Sequence, residues 1–423
     1  MVFPEGMAKC LALMLGQDLA EGNMERNAIK LIGSLILMAA AVLTAGWLVE
    51  PSQPGSFYRI EEEIKGAPGD ILRVAPFPGP VANGARAWRV LYVSTGLSGE
   101  PIAVSGVIAA PEEKAPAEGR PVVAWAHGTT GVTSRCAPSL RADFFQHVPG
   151  VTELLRKGYV VAATDYPGLG TPSPHPYLVG ESEGRAVLDA VRAAAKVESA
   201  GTSKRFAAWG HSQGGHAALF AGQIAADYAP ELEIAGVAVA APATNLAELV
   251  DDDLPSKAGK VLTALAMWSW NKVFDAPLSP LLDPEAIAAI DRIAADCMED
   301  VLQGLVLAER EKAIDGNFIH GDLTQTEPWK RLLEENTPDA GKADAPLFMA
   351  QGTADTIVRP QVTRDFAERA CRSGRPVRFI AGPGLDHMGI LAGATADVVE
   401  WISDRLAGSP APSDCADLPT VRY

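Results

Sequence analysis

What most constrains this chain is a series of short, almost wholly apolar runs, each closed by a turn bearing Gly or Asp. They are Pro121-Val-Val-Ala-Trp-Ala126, Gly158-Tyr-Val-Val-Ala-Ala-Thr164, Arg205-Phe-Ala-Ala-Trp209, Ile234-Ala-Gly-Val-Ala-Val-Ala-Ala241, Pro346-Leu-Phe-Met-Ala350 and Pro376-Val-Arg-Phe-Ile-Ala381. A strand that is apolar on both faces belongs in a parallel sheet covered by helices on both sides. Helical patterns do lie between several of the runs, over Glu181–Val197 and Gly215–Tyr228. Alternation of strand and helix implies right-handed βαβ units and an α/β fold with a mostly parallel, doubly wound sheet. Upstream, Ala87–Ser94 and Ile102–Pro111 alternate or run apolar with β-branched residues, which predicts an antiparallel pair, preceded by a shorter run at Gly69–Val74.

The rhythm breaks once. Between the runs ending near Ala243 and starting at Pro346 lie helical patterns, including Lys257–Trp270 and Pro284–Glu311, and no convincing strand. Such an insertion is too long for an ordinary connection. It reads as a helical cap over the C-terminal edge of the sheet, where open α/β folds bind ligands. The expected organisation is a core of residues 51–243 and 346–423 carrying a cap or lid at 244–345. The tail from Gly408 is rich in Pro and Asp and reads as irregular.

Residues 1–50 stand apart from this core. No charge occurs from Leu31 to Val49, while Arg26 and Lys30 precede the run and Glu50-Pro51 follow it. A basic flank, an apolar run and small residues (Thr44, Ala45, Gly46) describe an export signal. A retained membrane anchor is the alternative, since about 18 apolar residues can span a bilayer. Either places the rest of the chain outside the cytoplasm. Cys136, Cys297, Cys371 and Cys415 follow the signal, and an even count in an exported chain suggests disulfides, with the connectivity open. No CxxC, HExxH or tight Cys/His cluster points to a metal. The net charge of −16, with no concentration of Lys and Arg, argues against a nucleic-acid partner.

The strongest local signal is Trp209-Gly-His-Ser-Gln-Gly-Gly215, a G-x-S-x-G centred on Ser212. A buried strand before it and an apolar helical pattern after it supply the strand–turn–helix setting of a nucleophile elbow, and with it the α/β-hydrolase fold. A serine hydroxyl is a poor nucleophile without a base at hydrogen-bond distance. Of the seven histidines, only His387 lies in a loop directly after a late strand. His127 and His211 sit beside strand ends, His216 belongs on the helix after the elbow, and His147, His175 and His320 read as solvated. The acid that orients the imidazole is expected one strand earlier, at Asp355 in Met349-Ala-Gln-Gly-Thr-Ala-Asp355, with Asp386 and Asp165 as rivals. The order Ser…Asp…His is the one this fold uses. Donors for the developing oxyanion are expected from the backbone of Gln213 and from the loop Ala126-His-Gly-Thr-Thr-Gly131, at Thr129 with Thr130 as the alternative.

With these motifs in place, the chain resembles the secretory lipase family, the Candida antarctica lipase A-like branch of the α/β-hydrolases. Beyond the triad, the resemblance rests on several runs. They are Arg86-Ala-Trp-Arg-Val-Leu-Tyr-Val-Ser-Thr95, Gly106-Val-Ile-Ala-Ala-Pro111, Cys136-Ala-Pro-Ser139 shortly after His127-Gly-Thr-Thr-Gly131, and Asp165-Tyr-Pro-Gly-Leu-Gly170. It implies a triad at Ser212, Asp355 and His387, a helical lid at the insertion, and disulfides Cys136–Cys297 and Cys371–Cys415. It also implies hydrolysis of carboxylic esters, often triacylglycerols, without a cofactor, and contact of the lid with a lipid interface. The partner expected is therefore a small-molecule or lipid ester. Acyl transfer to another alcohol, a serine peptidase on the same fold, and a non-catalytic binding protein are the alternatives. A dehalogenase would call for Asp at position 212, and a large peptidase for an N-terminal propeller that this sequence lacks.

Overall fold

The computed structural model describes residues 54–298, 314 and 318–421. The apolar segment Leu31–Val49 and the C-terminal part of the Pro284–Glu311 pattern fall outside that set. Among the described residues no helix is long and apolar enough to cross a membrane.

The apolar runs assemble into a nine-stranded sheet in the order β1-β2-β3-β5-β4-β6-β7-β8-β9. In chain order these are β1 (Ile71–Pro76), β2 (Ala85–Thr95), β3 (Pro101–Pro111), β4 (Arg120–Ala126), β5 (Val160–Thr164), β6 (Thr202–His211), β7 (Glu233–Ala240), β8 (Leu347–Gly352) and β9 (Val377–Gly382). The first pairings, β1 with β2, β2 with β3 and β3 with β5, are antiparallel; all pairings from β5 across to β9 are parallel. The chain leaves β4 for β5 on one side and returns to β6 on the other. The strand order therefore reverses at β4, and the register Trp125↔Trp209 and Ala126↔Gly210 brings the ends of β4 and β6 level. A crevice outside the carboxyl ends of strands at such a switch point is where open α/β sheets bind ligands.

The apolar runs have the composition they do because both faces are covered. One face packs Val123, Trp125, Ala207, Trp209, Ala240 and Phe348 against helices α1 (Val151–Arg156) and α9 (His387–Leu406). The other packs Val122, Ala124, Phe206, Ala208, Val239 and Met349 against α2 (Gly180–Lys196), α3 (Gln213–Tyr228) and α8 (Pro360–Arg372). Between β7 and β8 lie α4 (Leu246–Asp253), α5 (Lys257–Phe274), α6 (Pro284–Ala294) and α7 (Trp329–Glu335). Leu249, Leu265, Trp270, Ile290 and Trp329 from these helices belong to the same apolar cluster as the α9 face.

Caps explain where several of these helices start. Asn245, Ser256 and Asp283 each accept a hydrogen bond from a backbone N–H in the first turn of α4, α5 and α6. Helix α6 ends at Ala294, well short of the periodic pattern, which continues to Glu311. The cause is tertiary. Cys297 is bonded to Cys136, and the amide of Met298 donates to the carbonyl of Thr130 at 2.9 Å, so the chain must turn away from the helix axis to reach the loop after β4. Cys371 and Cys415 form the second disulfide, which ties the irregular tail to the end of α8.

Candidate active site

Strand β6 ends at His211 and helix α3 begins at Gln213, so the whole turn is made by Ser212. Its backbone lies at φ 57°, ψ −120°, a region that side-chain-bearing residues rarely occupy. The strain is held by close packing on either side. A Cβ at Gly210 would collide with the carbonyl of Gly214, and one at Gly214 with the carbonyl of Ala126 on β4. Only hydrogen at those two positions lets α3 come this near the sheet, which is the physical content of the G-x-S-x-G spacing. The Ser212 amide donates to Ala240 on β7 at 3.0 Å, fixing the turn from the other side.

Asp355 sits in the turn after β8 and is fully buried. Its Oδ1 accepts the amides of Ile357 and Val358, each at 2.9 Å. Its Oδ2 accepts from Gln351 Nε2 at 3.0 Å and from His387 Nδ1 at 2.9 Å. Gln351 is held in turn by the Thr363 hydroxyl, which donates to its Oε1 at 2.7 Å. A carboxylate can only accept, so the His387 proton lies on Nδ1 and leaves Nε2 free to act as a base.

His387 is not a loop residue, as the sequence suggested. It is the first residue of α9, and the rival acid Asp386 is that helix's cap, accepting from Gly389 N at 2.7 Å. His387 and Ser212 line one cleft of about 790 Å³, together with Gly128, Thr129 and Thr130. No hydrogen bond joins the Ser212 hydroxyl to the imidazole among the described residues, a link that hydrolase sites often leave long until substrate binds.

The remaining sequence candidates fall around this point. Gln213 occupies the first turn of α3, where amides have no intrahelical acceptor. Thr129 lies in the loop after β4, its hydroxyl 2.9 Å from that of Tyr177, while the Thr130 carbonyl is taken by Met298. The other rival acid, Asp165, is engaged elsewhere. It is fully buried, its Oδ2 accepts the Ser105 hydroxyl at 2.6 Å and its Oδ1 the Ser139 amide at 2.9 Å. Burial pushes its carboxyl up to about 6.

Several features were not visible in the sequence. His211, set aside as merely adjacent, packs its ring 4.7 Å from that of His387, and its Nε2 lies 2.9 Å from the His387 carbonyl. Burial, with His387 beside it, lowers its pKa to about 3, so it stays neutral and supports the imidazole by packing. His175, expected to be solvated, is instead fully buried. It belongs to a polar cluster behind the elbow. In that cluster Glu183 Oε1 accepts from Gln213 Nε2 at 2.7 Å and from the Leu178 amide at 2.9 Å, and Oε2 lies 3.2 Å from His216 Nδ1. His216 Nε2 in turn reaches the Asn336 carbonyl at 2.8 Å. The sequence signal that could have exposed this cluster was His216 in the otherwise apolar first half of α3; Glu183 lies on a helix with Glu181, Arg185, Asp189 and Arg192 and does not stand out. His147 and His320 are exposed, as expected.

A model of the secretory lipase family matches residues 147–414. A probable inactive lipase of Mycobacterium tuberculosis is 22% identical, over 81% of this chain and 79% of that protein. A secreted triacylglycerol lipase of Malassezia globosa is 26% identical, over 85% of this chain and 80% of that protein. Among solved structures, Candida antarctica lipase A superposes with a TM-score of 0.71 at 18% identity, covering 85% of this chain and 86% of that one. That likeness, with the sheet described above, makes the fold that of an α/β-hydrolase.

Proposed function

This chain belongs to the secretory lipase family, and from that premise we propose that it is an exported serine hydrolase of carboxylic esters working through an acyl-enzyme. Ser212 attacks the ester carbonyl while His387 Nε2 takes its proton. Asp355 holds the ring in the tautomer this requires and stabilises the imidazolium that forms. The amides of Gln213 and Thr129 receive the oxyanion. The alcohol leaves with the proton from His387, and water activated by the same imidazole then releases the acid.

The observation that carries this reading is that His387, held by the buried Asp355, lines the same cleft as a serine at a strained elbow. The leaving alcohol is protonated by His387, so it belongs in the cleft that His387 lines. A second cavity also reaches Ser212, without His387 in its wall, which is almost wholly apolar and includes Leu246, Met267, Trp270, Trp329 and Leu333. That cavity suits the acyl group. Most of this wall comes from the helices between β7 and β8, which supports reading residues 244–345 as a cap that shapes acyl specificity and faces lipid. Residues 1–50 act as an export signal or anchor, in keeping with the secreted relatives.

The decisive experiment is labelling with an active-site phosphonate together with hydrolysis of p-nitrophenyl butyrate. Wild-type protein is expected to label at Ser212 and to turn over. Ser212→Ala should do neither, and His387→Ala should label at a greatly reduced rate. Since one relative carries the name of an inactive lipase, a folded wild-type protein that neither labels nor turns over any ester would overturn the proposal.

A further inference from the structure

The loop after β4 passes close to the nucleophile. A Cβ placed on Gly128 would lie 3.8 Å from the Ser212 Cβ, and Thr129 follows directly. The direction of the Thr129 amide is set locally. His127 donates through Nδ1 to the Gly128 carbonyl at 2.6 Å, and that carbonyl shares a trans peptide with the Thr129 N–H. The C=O and N–H of one planar trans peptide point opposite ways, so this N–H faces away from His127. A bond between neighbouring residues fixes direction only. The place of the loop relative to Ser212 has to be fixed by other elements.

It is fixed from the insertion between β7 and β8, along two routes. On the first, the Met298 amide holds the Thr130 carbonyl and Cys297 holds Cys136. Gly131 lets the two segments meet, since a Cβ there would sit 2.6 Å from Cys136 Sγ and 3.1 Å from the Asp296 carbonyl. The second route runs through Tyr177, which carries no signal in the sequence. Its hydroxyl lies 2.9 Å from that of Thr129. Its backbone is pinned by α5: the Tyr177 N–H donates to Ser269 Oγ at 2.9 Å, and Trp270 Nε1 donates to the Tyr177 carbonyl at 2.9 Å. Ser269 in turn donates to the His175 carbonyl at 2.6 Å. Tyr177, Ser269 and Trp270 are all buried, so water competes little for these bonds.

We propose that Tyr177 is a positioning residue for the oxyanion hole, holding the Thr129 amide at the distance from Ser212 that the developing oxyanion requires. The inference rests on Thr129 as the second donor of the proposed hydrolase. The oxyanion forms only on the way through the transition state, so a slack donor lowers kcat and leaves substrate binding nearly unaffected. Through Tyr177, α5 shapes the charge-stabilising site as well as the apolar wall.

The test measures kcat and KM for p-nitrophenyl butyrate on the full-length protein, with active sites counted by phosphonate labelling carried to completion. Tyr177→Phe keeps the ring that lines the apolar cavity and loses one oxygen. It should lower kcat by about tenfold, less than the loss of a whole donor, with KM nearly unchanged. The inhibition constant of a trifluoromethyl ketone, whose adduct with Ser212 places an oxyanion in the same hole, should rise by the same factor. Thr129→Val breaks the same contact from its other end, so the double variant should be no slower than the slower single one. Thr129→Ser keeps the hydroxyl and should stay near wild type. The proposal is overturned by wild-type kcat in Tyr177→Phe, by a loss confined to KM, by costs that simply add in the double variant, or by an equal loss in Thr129→Ser and Thr129→Val. Either end of the contact carries the test if the variant at the other does not fold. Wild-type protein that neither labels nor turns over butyrate would count against the hydrolase reading itself, a separate outcome.

Discussion

Two carboxylate–histidine networks flank the elbow, and they differ in a single respect that decides what each can do. Asp355 with His387 and Glu183 with His216 are both buried acids within hydrogen-bond reach of an imidazole, at 2.9 Å and 3.2 Å. Backbone amides serve both acids as well. Yet His387 borders the cleft that Ser212 opens into, whereas both nitrogens of His216 are occupied and its ring is fully enclosed. The first network presents a free nitrogen to a reacting atom; the second holds α2, α3 and the segment at Asn336 together. Residue type and pairing do not make a catalytic dyad; an unoccupied nitrogen facing a cavity does.

The sharpest way to break this comparison is to remove each imidazole in turn. His387→Ala should lower kcat on p-nitrophenyl butyrate on the order of 10⁵-fold with little change in thermal stability. Comparable loss in His216→Leu, counted per labelled Ser212, would show that the two networks are not distinct in function. Asp355→Asn is the next largest effect, about 10⁴-fold in kcat, because the amide would present the wrong partner to Nδ1 and favour the wrong tautomer.

Glu183→Ala should do the opposite. It removes the acceptor for Gln213 Nε2, the Leu178 amide and His216, so stability should fall by about 3–5 kcal/mol. Turnover per labelled site should stay within about tenfold of wild type, since the reacting groups remain. Chemical denaturation and site counting on one preparation would separate the two quantities. A smaller loss of about 3–4 kcal/mol is expected for Cys371→Ser with Cys415→Ser, which opens the loop of 44 residues that carries His387; the bond itself ties only the tail to the end of α8, so kcat should change little.

The smallest effect concerns Asp165, a third buried acid whose carboxylate contacts serines and no imidazole. Its folded pKa of about 6 lies above the ordinary value of 3.8, so the native state holds the proton more tightly than the unfolded chain does. The stability this group contributes is therefore complete below about pH 4 and is lost as pH rises through 6, by about 3 kcal/mol in all. Asp165→Asn should flatten the stability profile across that window. Unchanged pH dependence in the variant would mean that the slope belongs to other groups.

Much of this molecule is legible in its sequence. The runs at Pro121, Gly158, Arg205, Ile234, Pro346 and Pro376 all became strands, the first five interior and the last at the sheet's edge, because a strand covered on both faces tolerates such composition. The elbow was legible because Gly210 and Gly214 mark where backbone crowds backbone. His175 was misjudged for an equally physical reason. Its segment has the polar, proline-bearing texture of a surface loop, and only the fold brings Gln213 and the Pro167 carbonyl to its ring. The end of α6 was misjudged too, since periodicity cannot register the pull of a disulfide to a loop 161 residues away.

The sequence by itself determined what is local and repetitive: which segments are strands, where the chain must turn sharply, and the order in which serine, acid and histidine appear. Those properties depend on periodicity and on the steric demands of a few glycines, and both are written in neighbouring residues. The tertiary structure alone decided which of several acids and histidines meet, and which nitrogen or oxygen is left unpartnered when they do. Hydrogen bonding saturates within about 3 Å, so that outcome rests on distances between residues far apart along the chain.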